Sequence, residues 1–321
     1  MKDAWGRTIE YVRLSLTDAC NFCCPYCRPA EITPQSQHQL LSVDEWMTIL
    51  GAFHQVGVKA VRLTGGEPLL YPHIEELLAR IKQTGWFEDI SMTTNGSLLA
   101  ARAKKLKELG LNRVNISLDS LDSDAFALCV GKANQLDSVL SGIQSAIDAG
   151  FTSVKINTVL SRHWTDDEVH DLLTYVETWP VIWRFIEYMP FQGDAFHGPT
   201  FDEWKAQLER VSGGILTENH DVYGFGPATY YNLPSGKEIG FIFSMSHSYC
   251  DTCNRVRLTS DGQMRLCLLR DDEADLVSRV RRGLSETELA SHIEWALQRK
   301  QERHDGVTMD QLERPMWRIG G

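Results

Sequence analysis

Between residues 12 and 188, short apolar runs of strand length alternate with amphipathic stretches of helical length, and this alternation constrains the chain more than any other feature. Strands are expected at 12–17, 58–64, 90–94, 113–118, 153–160 and 181–188. Helices are expected at 42–56, 72–84, 98–109, 136–149 and 166–178. Ser42 opens the first of these, with Glu45 at capping-box spacing. Strand–helix units in series build a parallel sheet with helices outside it. Six strands fall short of an eight-fold barrel, so the expected fold class is α/β: a partial (βα)6 TIM-like barrel. Polar and glycine-rich segments at 18–28, 65–68, 95–96, 119–120 and 189–193 follow the strand ends, where such folds keep their sites. Past residue 190 the pattern changes to a helix at 201–211, strands near 229–232 and 238–244, and a helix at 286–300. The expected domains are a barrel at 1–190 and a C-terminal α+β extension at 191–321.

Hydrophobic residues make up 43% of the 321, enough for a substantial core. The formal net charge of -11 argues against nucleic-acid binding and against docking on anionic membranes. No apolar run reaches eighteen residues, and residues 1–8 lack the apolar stretch of a signal peptide, so the expected location is cytoplasmic. In a reducing compartment the eight cysteines are not expected to pair as disulfides. Seven of them fall into two tight groups, a pattern that points to metal.

Cys20, Cys24 and Cys27 stand in C-x3-C-x2-C spacing after the first strand. Three thiolates on one loop can hold three irons of a 4Fe–4S cluster and leave the fourth open. A structural zinc site is the rival reading, with Cys23 as the added ligand, but adjacent Cys23 and Cys24 cannot easily face one metal. The triad, with aromatic Tyr26 before its last ligand, resembles the radical S-adenosylmethionine signature. That resemblance implies that the open iron chelates S-adenosylmethionine. It also implies that the Gly-Gly-Glu-Pro run containing Gly66 and Glu67, at the end of the second strand, receives the cofactor's amino group.

The second group, Cys250, Cys253 and Cys267, has C-x2-C-x13-C spacing and again supplies three thiolates. It suits a second 4Fe–4S cluster, or a zinc site completed by His247. Arg255 and Arg257 alternate along an extended segment between these cysteines, so they share a face and can clamp a phosphate bidentately.

Two such cysteine motifs, the run from Asn254 to Gly262, the strand containing Arg184 and the terminal Gly320 and Gly321 together resemble the GTP 3',8-cyclase family of molybdenum-cofactor biosynthesis. The likeness runs over nearly the whole chain. It implies two 4Fe–4S clusters and S-adenosylmethionine as cofactors. Reductive cleavage would then yield a 5'-deoxyadenosyl radical that takes the ribose 3' hydrogen of GTP, and the carbon radical would close onto guanine C8. It implies cofactor contacts at Tyr26, Gly66, Glu67, Ser117 and Met189. Substrate contacts are implied at Arg13, Arg62, Thr93, Lys155, Arg184, Arg255, Val256 and Arg257, with Arg255 and Arg257 also catalytic. The implied partners are a reductant such as flavodoxin or ferredoxin and a downstream cyclic pyranopterin monophosphate synthase. Homodimerisation stays open, and the Gly-Gly tail is expected to thread into the pocket. The sequence departs from the family pattern at Ala60, Cys23, Arg28 and Tyr71-Pro72, where basic groups or Met are usual. Cys23 and Cys129 have no assigned role. Another nucleotide or a peptide as substrate, and a non-catalytic iron–sulfur protein, are the alternative readings.

Overall fold

The computed structural model describes residues 1–28, 40–190, 196–221, 223–304, 314 and 316–320. Six strands lie side by side in sequence order: β1 (Tyr11–Ser15), β2 (Ala60–Thr64), β3 (Asp89–Thr94), β4 (Arg113–Ser117), β5 (Ser153–Val159) and β6 (Ile182–Ile186). Every neighbouring pair among them is parallel, as the alternation demands. The connecting helices are α1 (Val43–Gln55), α2 (Ile74–Thr84), α3 (Ala103–Glu108), α4 (Ser123–Val130), α5 (Leu136–Asp148) and α6 (Asp166–Thr178). Ser42 and Glu45 form the expected capping box on α1. The helix expected at 98–109 is shorter, because residues 98–102 are turns. A further helix beyond those expected, α4, is capped by Asp122 and ended by Gly131 in the left-handed conformation.

The strands of the C-terminal third extend the same sheet at both edges. Among the described residues it has twelve strands in the order β12-β11-β10-β1-β2-β3-β4-β5-β6-β9-β8-β7. On one side β10 (Arg255–Leu258) pairs in parallel with β1, followed by β11 (Gln263–Arg265) and β12 (Glu273–Asp275). On the other, β9 (Glu238–Ile242) pairs in parallel with β6, followed by β8 (Thr229–Asn232) and β7 (Thr217–Asn219). Helices α7 (Phe201–Ser212), α8 (Val277–Arg281) and α9 (Glu286–Leu297) complete the extension. No helix among the described residues is long and apolar enough to cross a membrane.

The two faces of the sheet differ in chemistry because strand side chains alternate. Val12, Leu14, Val61, Leu63, Val114, Ile116, Trp183, Phe185, Val256 and Leu258 all belong to one buried apolar cluster, together with the helices. The alternate positions carry Arg13, Arg62, Ser91, Asn115, Lys155, Asn157, Arg184 and Arg257, all polar. An apolar interior would fill such a barrel with packed side chains. Here the interior face is polar and leaves a cavity.

Candidate active site

The first two strand-end loops are tied together. The amide of Gly66 donates to the Thr17 carbonyl at 2.7 Å, and that of Glu67 donates to the Ala19 carbonyl at 2.8 Å. A Cβ on Gly66 would stand 2.4 Å from the Ala19 carbonyl oxygen, so only glycine permits this approach. The cysteine loop leaves β1 across this contact. Cys20, Cys24 and Cys27 then line a cavity of about 240 Å³, which Tyr26, Gly66, Thr93, Ser117 and Met189 also border. Cys23 takes another direction: its thiol reaches the Arg28 carbonyl at 3.6 Å and its amide donates to Val130. Cys129 is buried in α4 within the main core.

The cavity's other wall is basic. Arg13 of β1 is in register with Arg62 of β2 on one side and Arg257 of β10 on the other. The three guanidiniums therefore stand in one row across three strands, facing inward. Arg184 and Arg255 line the same cavity. Burial lowers the pKa of Arg257 and of Arg184 to about 10, and burial with the nearby Arg257 charge lowers that of Arg13 well below its usual value. Neutral groups hold this row in place. Arg62 donates to Ser91 at 3.1 Å and sits over the Tyr11 ring, while Arg184 donates to Asn157 at 2.6 Å and to Asn115 at 2.7 Å. Arg255 lies between the rings of Tyr11 and Tyr249. The described partners of Arg62, Arg184 and Arg255 are all neutral groups. Cations gathered at that energetic cost suit a polyanionic ligand.

The C-terminal tail enters this wall. Arg13 donates to the Gly320 carbonyl at 3.0 Å, and Arg257 donates to the carbonyls of Ile319 and Gly320, each at 3.2 Å. Gly320 has φ +80, and a Cβ there would meet Thr64 Oγ1 at 2.6 Å, so glycine is required on both counts. Gly321 lies outside the described residues.

Known proteins place this arrangement. Residues 14–176 match the radical SAM superfamily, and residues 181–306 match the family described as Molybdenum Cofactor Synthesis C. GTP 3',8-cyclase of Pelotomaculum thermopropionicum is 40% identical, with 100% of each chain covered. The chain belongs to the GTP 3',8-cyclase family. The enzyme of the same name from Trichodesmium erythraeum is 42% identical to this cyclase-family chain, over 98% of this chain and 99% of that one. Molybdenum cofactor biosynthesis protein 1 of Mus musculus is 37% identical over all of this chain and 51% of its own length. Streptococcus suis SuiB bound to S-adenosylmethionine has the same fold, with a TM-score of 0.63 at 14% identity over 89% of this chain and 68% of that one.

Membership of the radical SAM superfamily makes S-adenosylmethionine and an iron–sulfur cluster the cofactors of this family member. The residues present fit them. Burial raises the pKa of the Cys20 and Cys24 thiols and pushes Cys27 up to about 12, so bare thiolates are disfavoured there and a cationic iron core would stabilise them. Tyr26 Oη donates to Asp119 at 2.8 Å beside the first triad. Burial raises Asp119 to about 6, against the amide of Val159 and the Tyr26 hydroxyl, which lower it.

Three of the expected site residues stand elsewhere. Glu67 does not face the cavity: its buried carboxylate accepts from the amides of Leu69 and Asn95 and from the Thr94 hydroxyl. Burial nonetheless lifts its pKa to about 7. It shapes the loop, which leaves the backbone of Gly65 and Gly66 on the cavity side. Lys155 shares the interior strand face with Asn157 but does not border the cavity, and it donates to the Tyr223 carbonyl at 2.7 Å and to the Tyr230 hydroxyl at 3.1 Å. Burial, with the charges of Arg184, Arg113 and Arg62, lowers its pKa to about 6. Val256 points its side chain into the apolar core, one residue out of phase with Arg255 and Arg257, and borders the hollow of the second triad instead of the main cavity.

The second triad borders a neighbouring hollow that shares Tyr249, Arg255 and Arg257 with the main cavity. His247 does not reach it, because its ring stacks on Phe201 at 5.2 Å. The histidine on this hollow is His304, whose Nδ1 stands 3.0 Å from Cys250 Sγ. Its distance of 54 residues from Cys250 hid it from a reading of local spacing. Asp119 could have been found two residues past Ser117 at a strand end; the asparagines holding Arg184 carried no such signal.

Proposed function

We propose that the chain converts GTP to (8S)-3',8-cyclo-7,8-dihydroguanosine 5'-triphosphate in molybdenum-cofactor biosynthesis, acting as a radical SAM lyase with two 4Fe–4S clusters. The observation that carries this reading is the row of Arg257, Arg13 and Arg62, joined by Arg184 and Arg255, between the two cysteine triads. Such a row in a chain of net charge -11 supports a polyphosphate held with its base toward the second triad and its ribose toward the first. Cys20, Cys24 and Cys27 would hold the first cluster, and Cys250, Cys253 and Cys267 the second. When bound, the first cluster and S-adenosylmethionine supply the radical that removes a ribose hydrogen.

The chain's own groups orient and enclose. Tyr26, held by Asp119, and the backbone of Gly66, Ser117 and Met189 would border S-adenosylmethionine. Thr93 and the arginines would fix the nucleotide, and the tail at Gly320 would close the space between Arg13 and Arg257. Arg255 and Arg257 would neutralise charge next to the reacting nucleoside. Ala60 lies on the same strand face as Arg62 and is buried, so the lysine usual in the family would project into the row here. Tyr71 is buried and donates to the Leu41 carbonyl at 2.8 Å, a structural substitution for a basic residue. A flavodoxin or ferredoxin would supply electrons, and a cyclic pyranopterin monophosphate synthase would take the product. The test is anaerobic reconstitution followed by incubation with GTP, S-adenosylmethionine and reductant. The reading requires 5'-deoxyadenosine and the cyclised nucleotide together, with no equivalent product from ATP.

A further inference from the structure

The segment that carries His304 is fastened to the second cysteine turn at several points. Trp5 Nε1 donates to the Lys300 carbonyl at 2.8 Å. Arg7 spans both pieces: its guanidinium donates to the carbonyls of Gln301 at 2.8 Å and Glu302 at 2.6 Å, and to that of Cys250 at 2.9 Å. Arg303 pairs with Asp251 at 2.7 Å, inside the Cys250–Thr252 turn. These anchors set the imidazole against the first thiol of the triad, with Nδ1 3.0 Å from Cys250 Sγ. Lys300, four residues earlier, is buried, borders the same hollow and donates to the Leu266 carbonyl, one residue before Cys267.

We propose that His304 donates its Nδ1–H to the Cys250 thiolate and, with the buried ammonium of Lys300, raises the reduction potential of the second cluster. This inference rests on the second-cluster reading given above. A 4Fe–4S core on three thiolates gains negative charge when it is reduced. Hydrogen bonds to cluster sulfurs and nearby cations therefore favour the reduced form, and this is an established lever on cluster potential. Among the described residues bordering this hollow, His304 is the one imidazole. Arg255 and Arg257 border it as well, but they also line the nucleotide cavity. The Lys300–His304 pair lines only the hollow of the second triad, so in this account the chain keeps the cluster's redox setting apart from its anion binding.

The experiment uses the full-length chain with Cys20, Cys24 and Cys27 changed to Ala, reconstituted anaerobically so that only the second cluster can form. Iron analysis tests the underlying reading: about four irons per chain are required. Zinc in their place overturns the reading and the inference together. With the cluster present, an EPR-monitored redox titration is compared with that of the same chain carrying His304→Ala. The midpoint should shift to lower potential in the variant. His304→Gln, whose amide still offers an N–H, should recover part of the shift. An unchanged midpoint in His304→Ala overturns the inference alone. Should His304→Ala fail to retain iron, pulsed EPR on the chain with its native His304 and 15N-labelled histidine decides. A weak nitrogen coupling, as expected through an N–H···S bond, supports the inference. No coupling, or the strong coupling of an iron-bound imidazole, overturns it.

Discussion

The two cysteine triads offer the same three thiols in very different settings. The first comes from eight consecutive residues on a single loop, tied to the neighbouring glycine loop by backbone bonds at 2.7 and 2.8 Å. Its charged neighbours in the structure include the acids Asp119 and Glu67. The second is assembled from a turn at Cys250–Thr252 and from Cys267 beyond the next two strands, and its surroundings are Arg255, Arg257, Lys300 and His304. The difference follows from what each site faces. The first borders a wall of backbone, hydroxyl groups and the acid Asp119, suited to a cofactor that carries ammonium and sulfonium charge. The second adjoins the arginine row, suited to an anion.

 Leu269, Met316 and Ile319 form one small buried cluster, and Cys27 and Cys267 both pack against it, so the tail bridges the two triads.

The sharpest way to break this comparison is to remove one thiol. Cys24→Ala should abolish 5'-deoxyadenosine formation, whereas Cys23→Ala, whose thiol turns toward Arg28, should leave it largely intact. Equal loss in both, read by chromatography of the nucleoside, would contradict the assignment of the first triad.

The next largest effect is expected at the bridge. Gly320→Ala places a Cβ 2.6 Å from Thr64 Oγ1 at a φ of +80 and should displace the tail from Arg13 and Arg257. Iron content and cleavage of S-adenosylmethionine should persist while the cyclised product is lost. A normal product yield would show that the tail is dispensable.

At the arginine row the change is graded. A charge-assisted hydrogen bond contributes roughly 1.5–3 kcal/mol, so Arg257→Ala should weaken GTP binding on the order of ten- to a hundred-fold without changing the iron content. Ala60→Lys adds a cation to the same face and should tighten binding. Equilibrium binding of GTP, with ATP as the control, checks both.

The smallest effect concerns the acids beside the first triad. Burial raises Glu67 to about 7 and Asp119 to about 6, above the values each has in an unfolded chain. The native state therefore binds more protons than the unfolded state across that window. The stability these groups contribute is present at low pH and is lost as pH rises toward 7. Chemical denaturation of the metal-free protein should show stability falling from about pH 5 to about pH 7, and Glu67→Gln should flatten that slope.

Much of this was legible in the sequence because it is local. The strand–helix alternation, the capping box at Ser42 and Glu45, and the spacing of each triad all lie within short windows. The inward phase of Arg255 and Arg257 could be read from strand alternation, as could the out-of-phase position of Val256, which the expected site nonetheless included. What was not legible depends on distant pairing. Nothing local says that β10 lies beside β1, so the row of Arg257, Arg13 and Arg62 emerges only from the register. The same holds for Arg7, which ties the N-terminus to residues 301 and 302 and to Cys250. Glu67 was misplaced for a related reason: its partners Thr94 and Asn95 come from the next strand end, and they take up the carboxylate that the motif alone leaves open.

The central claim is that one cavity holds an S-adenosylmethionine site at the first triad and a GTP site at the arginine row. The most direct measurement is product analysis of the anaerobically reconstituted protein given S-adenosylmethionine and reductant, with GTP, with ATP and with no nucleotide. The account predicts a cyclised guanosine triphosphate, formed with 5'-deoxyadenosine in the GTP reaction and absent from the other two. Cleavage of S-adenosylmethionine with GTP recovered unchanged would contradict it.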